Sequence, residues 1–121
     1  MTDFEVRSTS PGGRYIVGVR SFEARAFQWV DTPEIVDTVA GVTLLDLADC
    51  YWHLDSAHWR SESVVVLQLR HFPLPHDFSC TVVVDCQRMT ASLDGAEPLA
   101  LGQLDDILGK AYTAGVIDRD A

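Results

Sequence analysis

The stretch ESVVVLQLRHFPLPHDFSCTVVVDC, residues 62–86, decides the fold class of this chain. Both of its ends are rich in β-branched residues, and the uninterrupted VVVL indicates a strand that is partly buried on both faces. Between the two ends, Pro73 and Pro75 remove two backbone donors and therefore predict a loop. The stretch predicts two strands, and MTASLD at 89–94 predicts a third that forms a hairpin with the second.

The N-terminal part of the chain predicts another hairpin. FEVRST, residues 4–9, and RYIVGVRSFEARAFQW, residues 14–29, lie on either side of a turn signal of one proline and two glycines. Apolar residues alternate with polar ones in the second run, and the alternation slips near Ser21, which indicates a bulge or a break. Together with the central strands, this predicts an antiparallel sheet of about five strands.

DTPEIVDTVAG, residues 31–41, has the punctuation of a short helix. Asp31 or Thr32 is suited to the N-cap, and Pro33 is suited to the first turn. Gly41 can end the helix in a left-handed conformation. We therefore predict a short helix in the N-terminal half of the chain.

The segment VTLLDLADCYWHLD, residues 42–55, fits two templates. As a helix it places one set of residues on a single face, namely Leu44, Leu47, Ala48, Tyr51 and Leu54. As a strand it alternates less regularly, so we predict a middle helix over 43–55 and keep the strand as the alternative.

LALGQLDDILGKAYTAG, residues 99–115, predicts a C-terminal helix. Its apolar face is formed by Leu101, Leu104, Ile107, Leu108 and Ala111. The helix should pack on one face of the sheet, with Leu104 and Leu108 fully buried. The complete prediction is a single globular α+β domain over residues 1–121, because strands and helices do not alternate as they do in a parallel fold.

Composition excludes several classes of function. The chain has a net charge of −9, which disfavours binding to nucleic acid or to an anionic membrane. Its start, MTDFEVRSTS, lacks the pattern of a secretory signal, and no apolar run approaches the roughly 20 residues of a membrane span. Three cysteines, an odd number, favour a reducing compartment. We expect a cytoplasmic protein.

Charge is distributed unevenly along the chain. Residues 29–59 contain six acidic residues and no Lys or Arg, and residues 94–121 contain six acidic residues against Lys110 and Arg119. A solvated acidic face would account for the first window without any partner. A surface that attracts a basic protein is the other explanation.

The chemical motifs of enzymes and metal proteins are missing from the sequence. Cys50, His53 and His58 have spacings that do not bring them to one side of a regular helix or strand, so we expect no metal site. No nucleophile elbow and no phosphate-binding loop occurs. We predict no catalytic residues and no cofactor.

The stretch CYWHLDSAHW, residues 50–59, joins the acidic window to the densest aromatic cluster. Aromatic residues among carboxylates are typical of a surface that binds a basic protein. The predicted partner-binding residues are Asp46, Asp49, Tyr51, Trp52, Asp55 and Trp59. The most concrete function is that of a bacterial toxin-immunity protein against a basic, nuclease-type toxin. The alternatives are a small-molecule-binding or enzymatic domain with a pocket between sheet and helix, and a structural subunit of a larger assembly.

Overall fold

The computed structural model describes residues 4–23, 29–47, 52–71 and 78–120. Within these ranges the chain forms two antiparallel sheets and one α-helix. The strands are β1 (Phe4–Thr9), β2 (Tyr15–Glu23), β3 (Trp29–Asp37), β4 (Val42–Asp46), β5 (Trp52–Trp59), β6 (Val64–His71), β7 (Phe78–Asp85), β8 (Thr90–Leu93) and β9 (Leu99–Ala100). A 3-10 turn (Leu101–Gln103) leads into α1 (Leu104–Asp120). The prediction of an α+β fold with one sheet is wrong, because the protein is mostly β.

The strands follow one another in space as they do along the chain. The first sheet has the order β1-β2-β3-β4, and the second has the order β5-β6-β7-β8-β9. Neighbours in sequence can pair in this way because short turns are sufficient to join antiparallel strands. The predicted hairpins of β1 with β2 and of β7 with β8 are confirmed.

The helix predicted over residues 31–41 is wrong, because most of that segment is strand β3. Pro33 fits a strand here because its carbonyl accepts the N–H of Leu47 at 3.3 Å, so its nitrogen also faces away from β2. The missing N–H therefore costs no hydrogen bond between β3 and β2. Gly41 does have a positive φ of 69°, but it lies in the turn between β3 and β4.

The middle helix predicted over 43–55 is also wrong. Its two ends belong to β4 and β5, which lie in different sheets. Trp52 and Leu54 are both buried while His53 between them is half-buried, which is the period of a strand. The alternative interpretation of this segment as a strand is therefore the correct one at both of its described ends.

The core lies where the two sheets and the C-terminal helix meet. Its first-sheet members are Tyr15, Val17, Val19, Ile35 and Leu45, and its second-sheet members include Leu54, Val65, Leu67, Leu69, Val82 and Val84. Leu101, Leu104 and Leu108 of the C-terminal segment belong to the same cluster, as predicted. Burial of this apolar surface is the main force that holds the sheets together.

The two sheets are also joined by contacts of strand β5 and of the turn that follows it. Strand β5 lies nearest to β3 and also approaches β1. The turn after β5 is tied to the first hairpin, because Glu62 accepts hydrogen bonds from Ser10 Oγ at 2.8 Å and from the N–H of Gly12. In the part of the chain that the structure describes, no helix has the length and apolar character needed to cross a membrane.

Candidate functional site

Most of the acidic window of residues 29–59 is neutralised within the fold. Four of its six carboxylates bind an arginine, in the pairs Arg7–Asp31, Arg20–Glu34, Arg14–Asp37 and Arg70–Asp55. Glu34 and Asp37 are buried. These four acids are therefore structural partners of arginines, and the window is not an open acidic surface.

Strand pairing explains why the sequence separates these charges. Arg20 of β2 lies opposite Thr32 of β3, two positions from Glu34, and Arg14 directly precedes Tyr15, which lies opposite Asp37. Arg7 of β1 reaches Asp31 of β3 across the intervening strand β2. Acidic and basic members of each pair then fall in different segments of the sequence. An uneven distribution along the chain is the expected result of complementary strands, without any external partner.

Two of these carboxylates, Asp37 and Asp31, have a lowered pKa. The hydrogen bonds from Arg14 lower the pKa of Asp37, and the N–H groups of Val39 and Ala40 in the following turn contribute to the same effect. Partial burial alone would raise the pKa of Asp31, but hydrogen bonds from Ser21 and Arg7 outweigh it and lower the pKa.

His53 lies between the two sheets and contacts an acidic residue on each side. Its Nδ1 accepts the backbone N–H of Asp31 at 3.0 Å, and its Nε2 lies 3.6 Å from Asp55. Partial burial lowers the pKa of His53, so the ring is neutral near pH 7. The geometry therefore indicates a link between the sheets rather than a catalytic base.

The six residues predicted to bind a partner do not form one exposed cluster. Trp52 is fully buried, and the half-buried Trp59 lies against Tyr15 with 6.3 Å between ring centroids. Asp55 binds Arg70 at 3.0 Å, and Asp46 is exposed on β4. The remaining two, Asp49 and Tyr51, lie outside the described residues.

A second acidic region is open to solvent. We call it the acidic shoulder and define it as the four exposed acids of the segment 94–106, namely Asp94 and Glu97 before β9 and Asp105 and Asp106 at the start of α1. No Lys or Arg occurs between Arg88 and Lys110 in the sequence. Lys110 lies 3.1 Å from Asp106, in an exposed pair that water screens strongly.

Exposed apolar side chains accompany the acidic shoulder. Leu99 of β9 is 37% exposed and Met89 in the turn before β8 is 42% exposed. The two positions are close, since the carbonyl of Met89 accepts the N–H of Leu101 at 2.8 Å. Carboxylates beside exposed apolar groups are the composition of a protein-binding surface.

A groove opens between the sheets at the end where four of the β-turns meet. It has a volume of about 400 Å³. Its walls are formed by Arg14, Tyr15, Asp37, Leu44, Glu62, Ser63, Cys86, Gln87 and Met89. We call it the turn-end groove, and the carbonyl of Met89 in its wall accepts the N–H of Leu101, which follows β9.

Sequence reasoning missed the turn-end groove and Glu62. Glu62 lies three positions after the cluster of residues 50–59, but nothing local indicates that it contacts Ser10 and Gly12, about fifty positions earlier. The glycine pair at 12–13 is the one feature of the sequence that is related to this contact. A Cβ on Gly12 would lie 2.6 Å from the Glu62 carboxylate, so glycine leaves the room that the contact needs.

The described residues offer no metal centre and no reactive thiol. In the ranges given above, no group of three or more His, Cys, Asp or Glu side chains is arranged to hold a metal ion. Burial raises the pKa values of Cys80 and Cys86 to about 12, so these two thiols stay protonated near neutral pH. No protein-family model matches the chain, and no curated protein or solved structure matches it either.

Proposed function

We propose that the protein binds a basic protein and blocks it, most concretely as a bacterial immunity protein that neutralises a nuclease-type toxin. The supporting observation is the acidic shoulder, four exposed carboxylates in a segment of the chain that also carries the exposed Leu99. By contrast, the carboxylates of the 29–59 window that bind arginines carry no open charge. We therefore assign binding to the shoulder, with the exposed Asp46 as the remaining candidate from the predicted set.

Electrostatics supports a basic partner. Six cations of the described chain each lie within 3.9 Å of a carboxylate, namely Arg7, Arg14, Arg20, Arg70, Arg88 and Lys110. The surplus of carboxylates then dominates the field outside the protein. Such a field accelerates association with a positively charged surface.

The test measures binding to the most basic polypeptide encoded beside the gene for this protein. Glu97→Lys in the shoulder should slow association and weaken its dependence on salt. The matched control is Glu5→Lys on β1, which makes the same change in net charge at another exposed glutamate. Equal effects of the two variants, or no binding by the wild-type protein, would contradict the proposal.

The turn-end groove favours a second candidate function, a small-molecule-binding domain. Its volume of about 400 Å³ lies in the usual range of ligand pockets, and both sheets contribute to its walls. Thermal stabilisation by one member of a metabolite collection, without any effect of a basic protein, would favour this candidate.

A further inference from the structure

The turn-end groove is held open by contacts between the turns that surround it. Glu62 joins the turn after β5 to the first hairpin through Ser10 and Gly12. The N–H of Cys86 donates to the carbonyl of Ser63 at 2.7 Å, which joins two turns of the second sheet. A groove that is formed in advance binds without the entropic cost of ordering its walls.

The charges of the groove favour a cation. Arg14 donates two hydrogen bonds to Asp37, at 3.2 and 3.0 Å, so these two charges cancel. Glu62 accepts hydrogen bonds from neutral donors, namely the hydroxyl of Ser10 and the backbone N–H groups of Gly12 and Arg14. Desolvation opposes its ionisation, but these hydrogen bonds and the nearby charge of Arg14 outweigh that effect and lower the pKa of Glu62. One negative charge is therefore left in the groove.

The walls of the groove suit an aliphatic chain with a charged end. Tyr15, Leu44 and Met89 supply apolar surface, and the methionine adapts easily to different shapes. Arg14 shows how the groove holds such a group, since its guanidinium lies 5.2 Å from the centre of the Tyr15 ring while it binds Asp37. An anionic ligand would instead enter a groove in which the two carboxylates, Asp37 and Glu62, outnumber the one guanidinium of Arg14.

We infer that the turn-end groove receives one lysine or arginine side chain of the basic partner. This inference rests on the proposed function and adds the point of insertion, beside the acidic shoulder. The aliphatic part of the inserted side chain packs on Tyr15, Leu44 and Met89, and its charged end approaches Glu62. Buried arginine side chains are common centres of binding energy in interfaces, whereas lysine is less frequent there.

The test uses two capped tripeptides, glycine–arginine–glycine and the same peptide with citrulline, which keeps the shape of arginine without its charge. Amide chemical shifts measured by NMR should move at Ser63, Gln87 and Met89 with the arginine peptide and much less with the citrulline peptide. Equal binding of both peptides, or shifts that are confined to the acidic shoulder, would overturn the inference.

A matched pair of variants separates the groove from the rest of the surface. Gln87→Lys places a positive charge in the groove wall and should weaken binding of both the arginine peptide and the partner by about tenfold or more. Gln68→Lys makes the same change on β6, at an exposed position between two buried leucines. It should leave binding of the peptide and of the partner unchanged. NMR spectra of the variants verify that each is folded.

The outcomes distinguish the two proposals. If Gln87→Lys leaves partner binding intact while Glu97→Lys weakens it, the groove inference is wrong and the proposed function stands. If the arginine peptide binds in the groove but no basic protein binds, the groove is a site for a small cation and the partner-based inference is overturned. The inference is supported if Gln87→Lys loses binding of both the peptide and the partner while Gln68→Lys retains both.

Discussion

His53 of β5 accepts a hydrogen bond at 3.0 Å from the backbone N–H of Asp31 in β3, so one imidazole joins the two sheets. An accepting Nδ1 carries no proton, which assigns the proton of the neutral ring to Nε2. Protonation of Nδ1 would place two N–H groups opposite each other and break this link. Asp55, Arg70 and Arg7 also face the ring and modulate its charge.

Acid should therefore destabilise the protein through His53. Burial lowers the pKa of His53 below its usual value of about 6.5, so the unfolded chain binds more protons in mildly acidic solution. The contribution of His53 to the free energy of unfolding should be complete above about pH 6.5. It should be lost as the pH decreases through the pKa of His53 in the folded protein. Chemical denaturation at a series of pH values measures this slope.

The variant His53→Gln should reduce that slope, whereas His58→Gln, at an exposed position of the same strand, should not. Some slope will remain in His53→Gln, because burial also lowers the pKa of His71. A slope that is identical in the wild-type protein and in His53→Gln would contradict the assigned role.

Asp37 should be one of the most sensitive acidic positions. Its carboxylate accepts hydrogen bonds from Arg14 and from the N–H groups of Val39 and Ala40, and the residue is buried. Asp37→Asn removes the charge and turns one acceptor into a donor that faces donors. We expect a loss of about 1–3 kcal/mol in the free energy of unfolding.

The control for Asp37→Asn is Asp106→Asn, at a carboxylate that is 71% exposed and pairs only with Lys110 across one helical turn. It should cost about 0.5 kcal/mol or less. Similar costs for the two variants, measured by urea denaturation, would show that the Arg14–Asp37 pair is unimportant for stability.

Local sequence patterns were sufficient to predict those strands and the helix whose pairing or packing partners are close in the sequence. Strands β6, β7 and β8 and the C-terminal helix follow from alternation, turn residues and helical spacing, and their neighbours lie within a few residues. The helix prediction for residues 31–41 was wrong because Asp, Thr, Pro and Glu favour the start of a helix only when their side chains bind no other part of the fold. Here Arg20 binds Glu34, and the strand pairing of β2 with β3 overrides the local preference.

The candidate site could be predicted only in part. An excess of acid was visible in the sequence, but its location depends on which carboxylates find arginines, and the partners of Asp31 and Asp55 lie 24 and 15 positions away. The turn-end groove arises from four separate turns, so no single window of sequence contains it. Burial of Trp52 likewise follows from the packing of β5 rather than from its neighbours.

The C-terminal helix should be essential to the core. Leu108 is fully buried, and Leu108→Ala should reduce the free energy of unfolding by about 2–5 kcal/mol. Leu99→Ala is the matched control, because Leu99 is 37% exposed and its truncation should cost less than about 1 kcal/mol. A cost below about 0.5 kcal/mol for Leu108→Ala would show instead that the helix is peripheral.

The last prediction concerns Gly18, which lets the edge strand β1 pack on β2. A Cβ at this position would lie 2.2 Å from the ring of Phe4 and 2.7 Å from the carbonyl oxygen of Glu5. The ring can rotate away, but the backbone carbonyl moves only if β1 shifts. Gly18→Ala should therefore loosen β1 locally, and the amides of β1 should exchange hydrogen faster than those of the second sheet.

Gly102→Ala is the control for this effect, because a Cβ at Gly102 meets nothing within 4 Å and the residue is exposed. It should be neutral or slightly stabilising, since alanine reduces the conformational freedom of the unfolded chain. Faster exchange in Gly18→Ala should be confined to β1 and its neighbour β2, because the core between the sheets does not include β1 residues. Unchanged exchange in β1, or a uniform increase across both sheets, would show that the close approach at Gly18 does not hold the edge strand in place.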